Sequence, residues 1–375
     1  MIRHYRKISS FKLLLLAIFS LEVVYLVSHF NATNQWYTYK INAARISKAA
    51  QFVIKEEKIK RGLPLNESDD PNVSGIIGLN DSPITTDKGY LDMKIMATNP
   101  NLAAVIVQML REAKLHPGDL VAVEYTGSFP GANIAVLSAI EAVGLEAVII
   151  SSVGSSNWGA NEPEFTWLDM EKTLFEKGIF THRSVAASLG GKKDLASGLS
   201  PEAQGLMVAA VKRNGLEFIN EPTLAANVYQ RLQTYDRYAH QKSKRIKLYI
   251  NVGGGSANLG SGVNYMRIPS GLTMKLSEEK IAGNGILFKM AAKGLPVIHV
   301  LKMRELTYQY GLPIRPVNTV IGDGVVFREA RYNSSVALIG LGILILFLAA
   351  CLFPDFFAFQ RRKGFSHEGN SYVIP

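Results

Sequence analysis

Two glycine-rich stretches carry the residue types best suited to chemistry. One is Tyr125-Thr-Gly-Ser-Phe-Pro-Gly131; the other is Gly253-Gly-Gly-Ser256, continuing through Ala257 to Asn258. Side chains are missing at Gly127, Gly131, Gly253, Gly254 and Gly255, so backbone there can approach a ligand, and successive N–H groups in such loops cradle phosphate or carboxylate. Ser128 and Ser256 add hydroxyl donors. Ser128 has two other readings, a turn residue or a nucleophile. Gly127 directly precedes it, so the Gly-x-Ser-x-Gly elbow is not formed. His182, His240 and His299 are available as bases, but none sits in a recognisable catalytic context. The second stretch lacks the Gly-Lys-Ser/Thr of a Walker A loop and the helix context of Gly-x-Gly-x-x-Gly; a flexible turn is its plain alternative. Among carboxylates, Glu124, Asp169, Glu171 and Asp323 offer acid–base chemistry or ordinary capping, and Asp169 and Glu171, two apart, do not share a helix face. There is no His-x-x-x-His, and the single cysteine is Cys351. No metal site and no cofactor are implied.

These loops need strands and helices to position them. Leu120 to Glu124 and Ile246 to Val252 read as buried strands that run directly into the two glycine loops. Helix Ala132–Val143 and strand Leu145–Ser151 follow the first loop, giving a βαβ unit with a parallel sheet and a right-handed crossover. Helices are expected at 102–114, 165–177, 201–214, 223–238 and 286–293, and strands at 216–219 and 296–300. Alternation at this spacing predicts a three-layer α/β domain with a mostly parallel sheet. Both glycine loops follow strands, so they are expected to share one sheet edge and one pocket, where open α/β sheets bind ligands. Asn161-Glu-Pro163 and Asn220-Glu-Pro222 recur, each before a helix, as Pro at a first helical turn explains.

Two apolar runs, Phe11 to Phe30 and Val336 to Phe353, bracket this domain. At ~1.5 Å per residue each nears the ~30 Å hydrocarbon thickness. The first has a signal-like basic start, but no small-x-small cleavage site follows it, so it reads as an uncleaved anchor. Arg3, Arg6, Lys7 and Lys12 flank one run and Arg361, Arg362 and Lys363 the other. Positive residues stay in the cytoplasm, which predicts a two-pass protein of the cell membrane, both termini cytoplasmic and the main domain outside. The organisation expected is a tail at 1–10, a span at 11–30, a stalk helix and surface loop at 31–89, the α/β domain at 90–335, a span at 336–353 and a tail at 354–375. Glu22 lies within the first span, where an ionisable group is expensive; it either meets a polar group of another membrane protein or of another copy of this chain, or is tolerated as a neutral carboxyl.

Of the formal charge of +10, +6 falls between the spans. A basic domain outside a membrane should attract polyanions or anionic surfaces. The densest patch is Lys242-Ser-Lys244-Arg245-Ile-Lys247, with a solvated loop as its alternative reading; no aromatics interleave it, which argues against nucleic acid. With no cysteine outside the second span, no disulfide staples the domain and its core alone must hold it.

Three strings resemble a bacterial family, the poly-gamma-glutamate system protein: Gly118 through Asn133 (Gly-Asp-Leu-Val-Ala-Val-Glu-Tyr-Thr-Gly-Ser-Phe-Pro-Gly-Ala-Asn), Ser151 through Asp169, and Val252-Gly-Gly-Gly-Ser-Ala-Asn258. The membrane-bounded layout agrees. The resemblance implies a role in synthesis or export of poly-γ-glutamate beside a membrane ligase complex, and it brings no catalytic residues with it. Two functions remain open at this point: an accessory subunit that binds the polymer or its synthase, with Glu22 facing a partner helix, or an anchored hydrolase or transferase acting on γ-glutamyl links.

Overall fold

The computed structural model describes residues 8–29, 35–260, 268–277, 283–327 and 334–352. The flanking cations Arg3, Arg6, Lys7, Arg361, Arg362 and Lys363 lie outside them. In chain order the first elements are α1 (Ser10–His29), α2 (Gln35–Lys60), β1 (Thr85–Asp87), α3 (Leu91–Ala97), α4 (Leu102–Glu112), β2 (Leu120–Thr126), α5 (Pro130–Val143), β3 (Glu146–Ser152) and β4 (Ser155–Ser156). Then come α6 (Trp167–Glu176), β5 (Ala186–Ser188), α7 (Pro201–Arg213), β6 (Glu217–Ile219), α8 (Leu224–Gln241), β7 (Ile246–Val252), α9 (Ser256–Leu259), β8 (Gly271–Thr273), α10 (Ile286–Ala292), β9 (Val297–Val300), α11 (Met303–Tyr310) and α12 (Ser334–Leu352). They fall into two compact units, one made of the chain's two ends and the other spanning Gln35–Arg328.

In the larger unit, seven strands form a sheet in the order β6-β5-β3-β2-β7-β9-β8, parallel throughout except for β8, which runs against β9. β2 is buried along its whole length, as parallel strands covered on both faces must be, which is why its first four residues, Leu120 to Val123, read as an unbroken apolar run. Its side chains alternate between two apolar clusters. Val121, Val123 and Tyr125 join residues of α2, α4, α5 and α6, whereas Leu120 and Ala122 join residues of α8 and α10.

The expected stalk is not one. Along α2, Ala43, Ala44, Ser47, Ala50 and Ile54 are fully buried, and Lys58 reaches Glu162 at 2.7 Å with both side chains enclosed. A face of small residues lets α2 lie close against α4 and α5, so it belongs to the core. Nor is the stretch 65–89 a loose loop. Ile76, Ile77 and Ile84 are buried, β1 pairs with β4, and the Asn161 side chain bonds the backbone of Leu79 in both directions, at 2.9 and 2.8 Å. Asn161 and Glu162, the first two residues of an Asn-Glu-Pro triplet, are thus fastenings for this segment and for α2.

In the end unit, α1 and α12 are long and apolar enough to cross a membrane. They touch where Gly340 has no side chain; a Cβ there would stand 2.5 Å from Val23, the close approach small residues allow between apolar helices. Glu22 is exposed on α1.

Candidate functional site

The chain runs from β2 outward through β3, β5 and β6, then returns to lay β7 on the other flank of β2. The order reverses between β2 and β7, and a crevice opens beyond their carboxyl ends, where open sheets of this kind bind ligands. Those ends, Thr126 and Val252, are where the two glycine loops begin. A cleft of about 590 Å³ lies there. Both loops reach this one cleft, through four of the seven residues named. Ser128, Gly254, Gly255 and Ser256 line the cleft. Gly127, Gly131 and Gly253 are buried behind it. A Cβ on Gly127 would stand 2.6 Å from the Val153 carbonyl, and one on Gly131 2.5 Å from the Ala97 carbonyl, so these two glycines serve backbone packing. Gly253 takes φ 94°, a left-handed value that favours glycine and turns the chain out of β7.

Residues that sequence reasoning passed over give the cleft its character. Lys88, Lys94, Lys192 and Lys302 line it, against Asp87 as the lining carboxylate; Lys302 also reaches Glu305 at 3.2 Å. Lys94 is only 3% exposed. Its Nζ donates to the Ser128 carbonyl, lies 2.8 Å from Ser156 Oγ and packs 3.8 Å from the centre of the Phe129 ring. No carboxylate pairs with it among the described residues. Burial pushes its pKa down to about 7.

Compared with protein-family models, curated proteins and solved structures, the chain matches none. What the site can do therefore rests on its own geometry.

One rim of the cleft, Gly191 and Lys192, is held from behind. Asp194, just beyond, takes two bonds from the fully buried Arg231 of α8, at 2.8 and 3.1 Å. Ser188 joins them, accepting from Arg231 at 2.6 Å and donating to Asp194 at 2.8 Å. Lys193, Asp194 and Ala196 all take positive φ, a costly run of backbone for non-glycine residues, and the buried ion pair holds it. Glu124 lies on the other side of Arg231 at 3.2 Å and accepts from Tyr235 at the same distance. Two carboxylates share one guanidinium, and the bidentate bond goes to Asp194. Burial, against the pull of Arg231, raises Glu124 to about 7. Glu124 thus belongs to a framework cluster and does not line the cleft.

The other candidates disperse. Asp169 closes a capping box with Thr166 and pairs with Arg213 at 2.6 Å. Glu171 accepts from the Ser184 N–H at 2.9 Å, and burial raises it to about 7. Asp323 is exposed, its carbonyl bonded by Asn101. His182 lies beside Glu146 at the start of β3, the far edge of the sheet from the cleft. His240 is on the last turn of α8. His299 is buried in β9, its Nδ1 2.8 Å from Asn251, and burial followed by the charge of Lys302 pushes it down to about 4. Ser128 Oγ accepts from the Ser156 N–H at 3.1 Å, and no histidine bonds it among the described residues.

The basic patch also sits at the far edge, and carboxylates answer it. Lys242 pairs with Glu146 and Lys247 with Asp119, both at 2.7 Å, while Lys244 caps the Gly118 carbonyl.

Proposed function

We propose that this is a membrane-anchored accessory protein of poly-γ-glutamate synthesis or export, whose switch-point cleft holds the polymer's carboxylates. The observation that carries this reading is the cleft's charge, Lys88, Lys192 and Lys302 against one lining carboxylate at the edge where the fold presents ligands, with Lys94 buried in the wall. The polymer is named by the sequence resemblance, and the charge suits it. The three-layer arrangement of the domain is supported by its two apolar clusters, to which alternate β2 side chains contribute. The two-pass orientation, tails in the cytoplasm and domain outside, is supported by the basic flanks of the two apolar runs. Glu22, exposed on α1, is available to a polar group of the synthase complex. A hydrolase built on Ser128 has less support, because no base bonds that hydroxyl among the described residues.

The test is Gly254→Val. The nearest atoms to a side chain there are those of Leu301, 3.9 Å from the Cβ position, so the variant should fold as the parent does while its side chain fills ligand space. Retention of poly-γ-glutamate by the full-length protein in detergent should fall. Undiminished retention would remove the cleft from the account. In a Cys351→Ser background, Ser68→Cys should react with an impermeant thiol reagent on intact cells and Ser366→Cys should not; the reverse pattern would overturn the orientation.

A further inference from the structure

The wall of the cleft holds a pair of residues that simple anion binding does not require. Ser156 Oγ and Lys94 Nζ are 2.8 Å apart, and both residues line the cleft. We propose that Ser156 and Lys94 form a serine–lysine dyad that cleaves or transfers the γ-glutamyl amide bonds of a chain lying in the cleft. This rests on the reading that the cleft holds that polymer, and it adds an activity to it.

A nucleophilic serine needs a neighbouring base that is neutral at working pH and has a free lone pair. A neutral lysine amine has two N–H groups and one lone pair. Lys94 Nζ donates to the Ser128 carbonyl and to Ser156 Oγ; once neutral it can keep the first bond and turn its lone pair to accept from the Ser156 hydroxyl. Lys94 has no carboxylate to hold it charged, and burial brings it to about 7, where a general base works best. The neighbouring serines have other duties. Ser155 Oγ donates to the Gly127 carbonyl at 3.0 Å, and Ser128 Oγ takes the Ser156 N–H, which fixes the nucleophile's backbone. Gly89 keeps the hydroxyl approachable, since a Cβ there would stand 3.1 Å from Ser156 Oγ.

The chemistry closes without a further reagent. Ser156 Oγ bonds the amide carbonyl carbon as its proton passes to Lys94. The C–N bond then breaks, and Lys94 gives that proton to the departing amine, leaving an ester on Ser156. Water, or the amine of another chain end, attacks the ester with its proton going to Lys94. The C–O bond breaks, and the proton returns to Ser156. Lys88, Lys192 and Lys302, which line the same cleft, would supply positive charge to the tetrahedral oxyanion.

The experiment treats the full-length protein in detergent micelles with an alkyl fluorophosphonate and locates the modified residue by peptide mass spectrometry. Phosphonylation of Ser156 is expected, its rate rising with pH through about 7 as Lys94 loses its proton. Ser156→Ala should abolish it. Lys94→Met should slow it by about 100-fold, the contribution of a positioned general base. Should Lys94→Met fail to fold, the pH profile of the wild-type protein still decides. An unmodified Ser156, modification at Ser128 instead, or a rate flat across pH 5 to 9 would overturn the dyad. Retention of poly-γ-glutamate by the wild-type protein is scored separately. Retention without labelling refutes the dyad alone, while labelling without retention refutes the polymer reading and with it the γ-glutamyl substrate.

Discussion

Behind the cleft, Arg231 is fully buried between two carboxylates, Asp194 and Glu124; on its wall, Lys94 is almost as deeply buried with none. Glycines divide the same way. Gly127 and Gly131 sit where a Cβ would strike backbone carbonyls, whereas Gly254 faces open space. Charge and space are spent on structure in the first layer and left available in the second. A charge buried without a counter-ion costs stability, and so does strained backbone; such sites persist where function uses them.

Mutation should separate the two layers. The largest effect should come from Arg231→Leu, which leaves Asp194 and Glu124 buried without their cation. Breaking a buried ion pair costs about 3–5 kcal/mol, and the urea midpoint of the 35–328 unit should drop accordingly. A drop comparable to a surface substitution would mean that the cluster is not a framework element. Next comes Gly131→Val, which forces α5 away from the Ala97 carbonyl and should cost about 1–3 kcal/mol, while Gly254→Val should leave the midpoint unmoved. Equal costs would erase the distinction between the layers.

Lys94→Met should cost far less stability than Arg231→Leu near neutral pH, because it strands no carboxylate. Its signature is a pH dependence. The folded value near 7 lies below the ordinary 10.5, so the unfolded chain binds more protons between those limits, and stability due to Lys94 rises with pH across that window. Wild-type urea midpoints should therefore climb from pH 7 to 10 relative to those of Lys94→Met. Parallel curves would show that Lys94 keeps its charge.

The sheet was legible in the sequence because its central strands are buried on both faces. Leu120–Thr126, Glu146–Ser152, Ile246–Val252 and Val297–Val300 lie within a residue or two of the strands expected from apolar runs. The shared edge of the two glycine loops followed from parallel order alone. β5 escaped notice because Ala186–Ser188 is three small residues with no apolar run to mark it. α2 read as a stalk because its buried face is made of Ala and Ser together with Lys40, Gln51 and Lys58, with Ile54 the one large apolar residue, and their packing value depends on what lies opposite. The buried cations of the cleft and its framework were hidden for a similar reason. Lys94 resembles any surface lysine until α3 is folded against Phe129 and Ser156, and Arg231 meets its carboxylates only across 37 and 107 residues of chain. The Lys242 to Lys247 run is conspicuous in the sequence, whereas its answering carboxylates are far off in the chain, Asp119 in the turn before β2 and Glu146 at the first residue of β3.

That contrast between a conspicuous basic run and an inconspicuous basic cleft supplies the most direct test. Lys88, Lys192 and Lys302 would be changed together to Ser in one protein, and Lys242, Lys244, Arg245 and Lys247 in another, with retention of poly-γ-glutamate by each full-length protein measured against rising salt. The cleft variant should lose at least about tenfold in affinity, as 1.4 kcal/mol of lost attraction gives, together with most of the salt dependence. The far-edge variant should stay within about twofold of wild type, because carboxylates already answer two of its four cations. Loss of retention in the far-edge variant, with the cleft variant unaffected, would contradict the account.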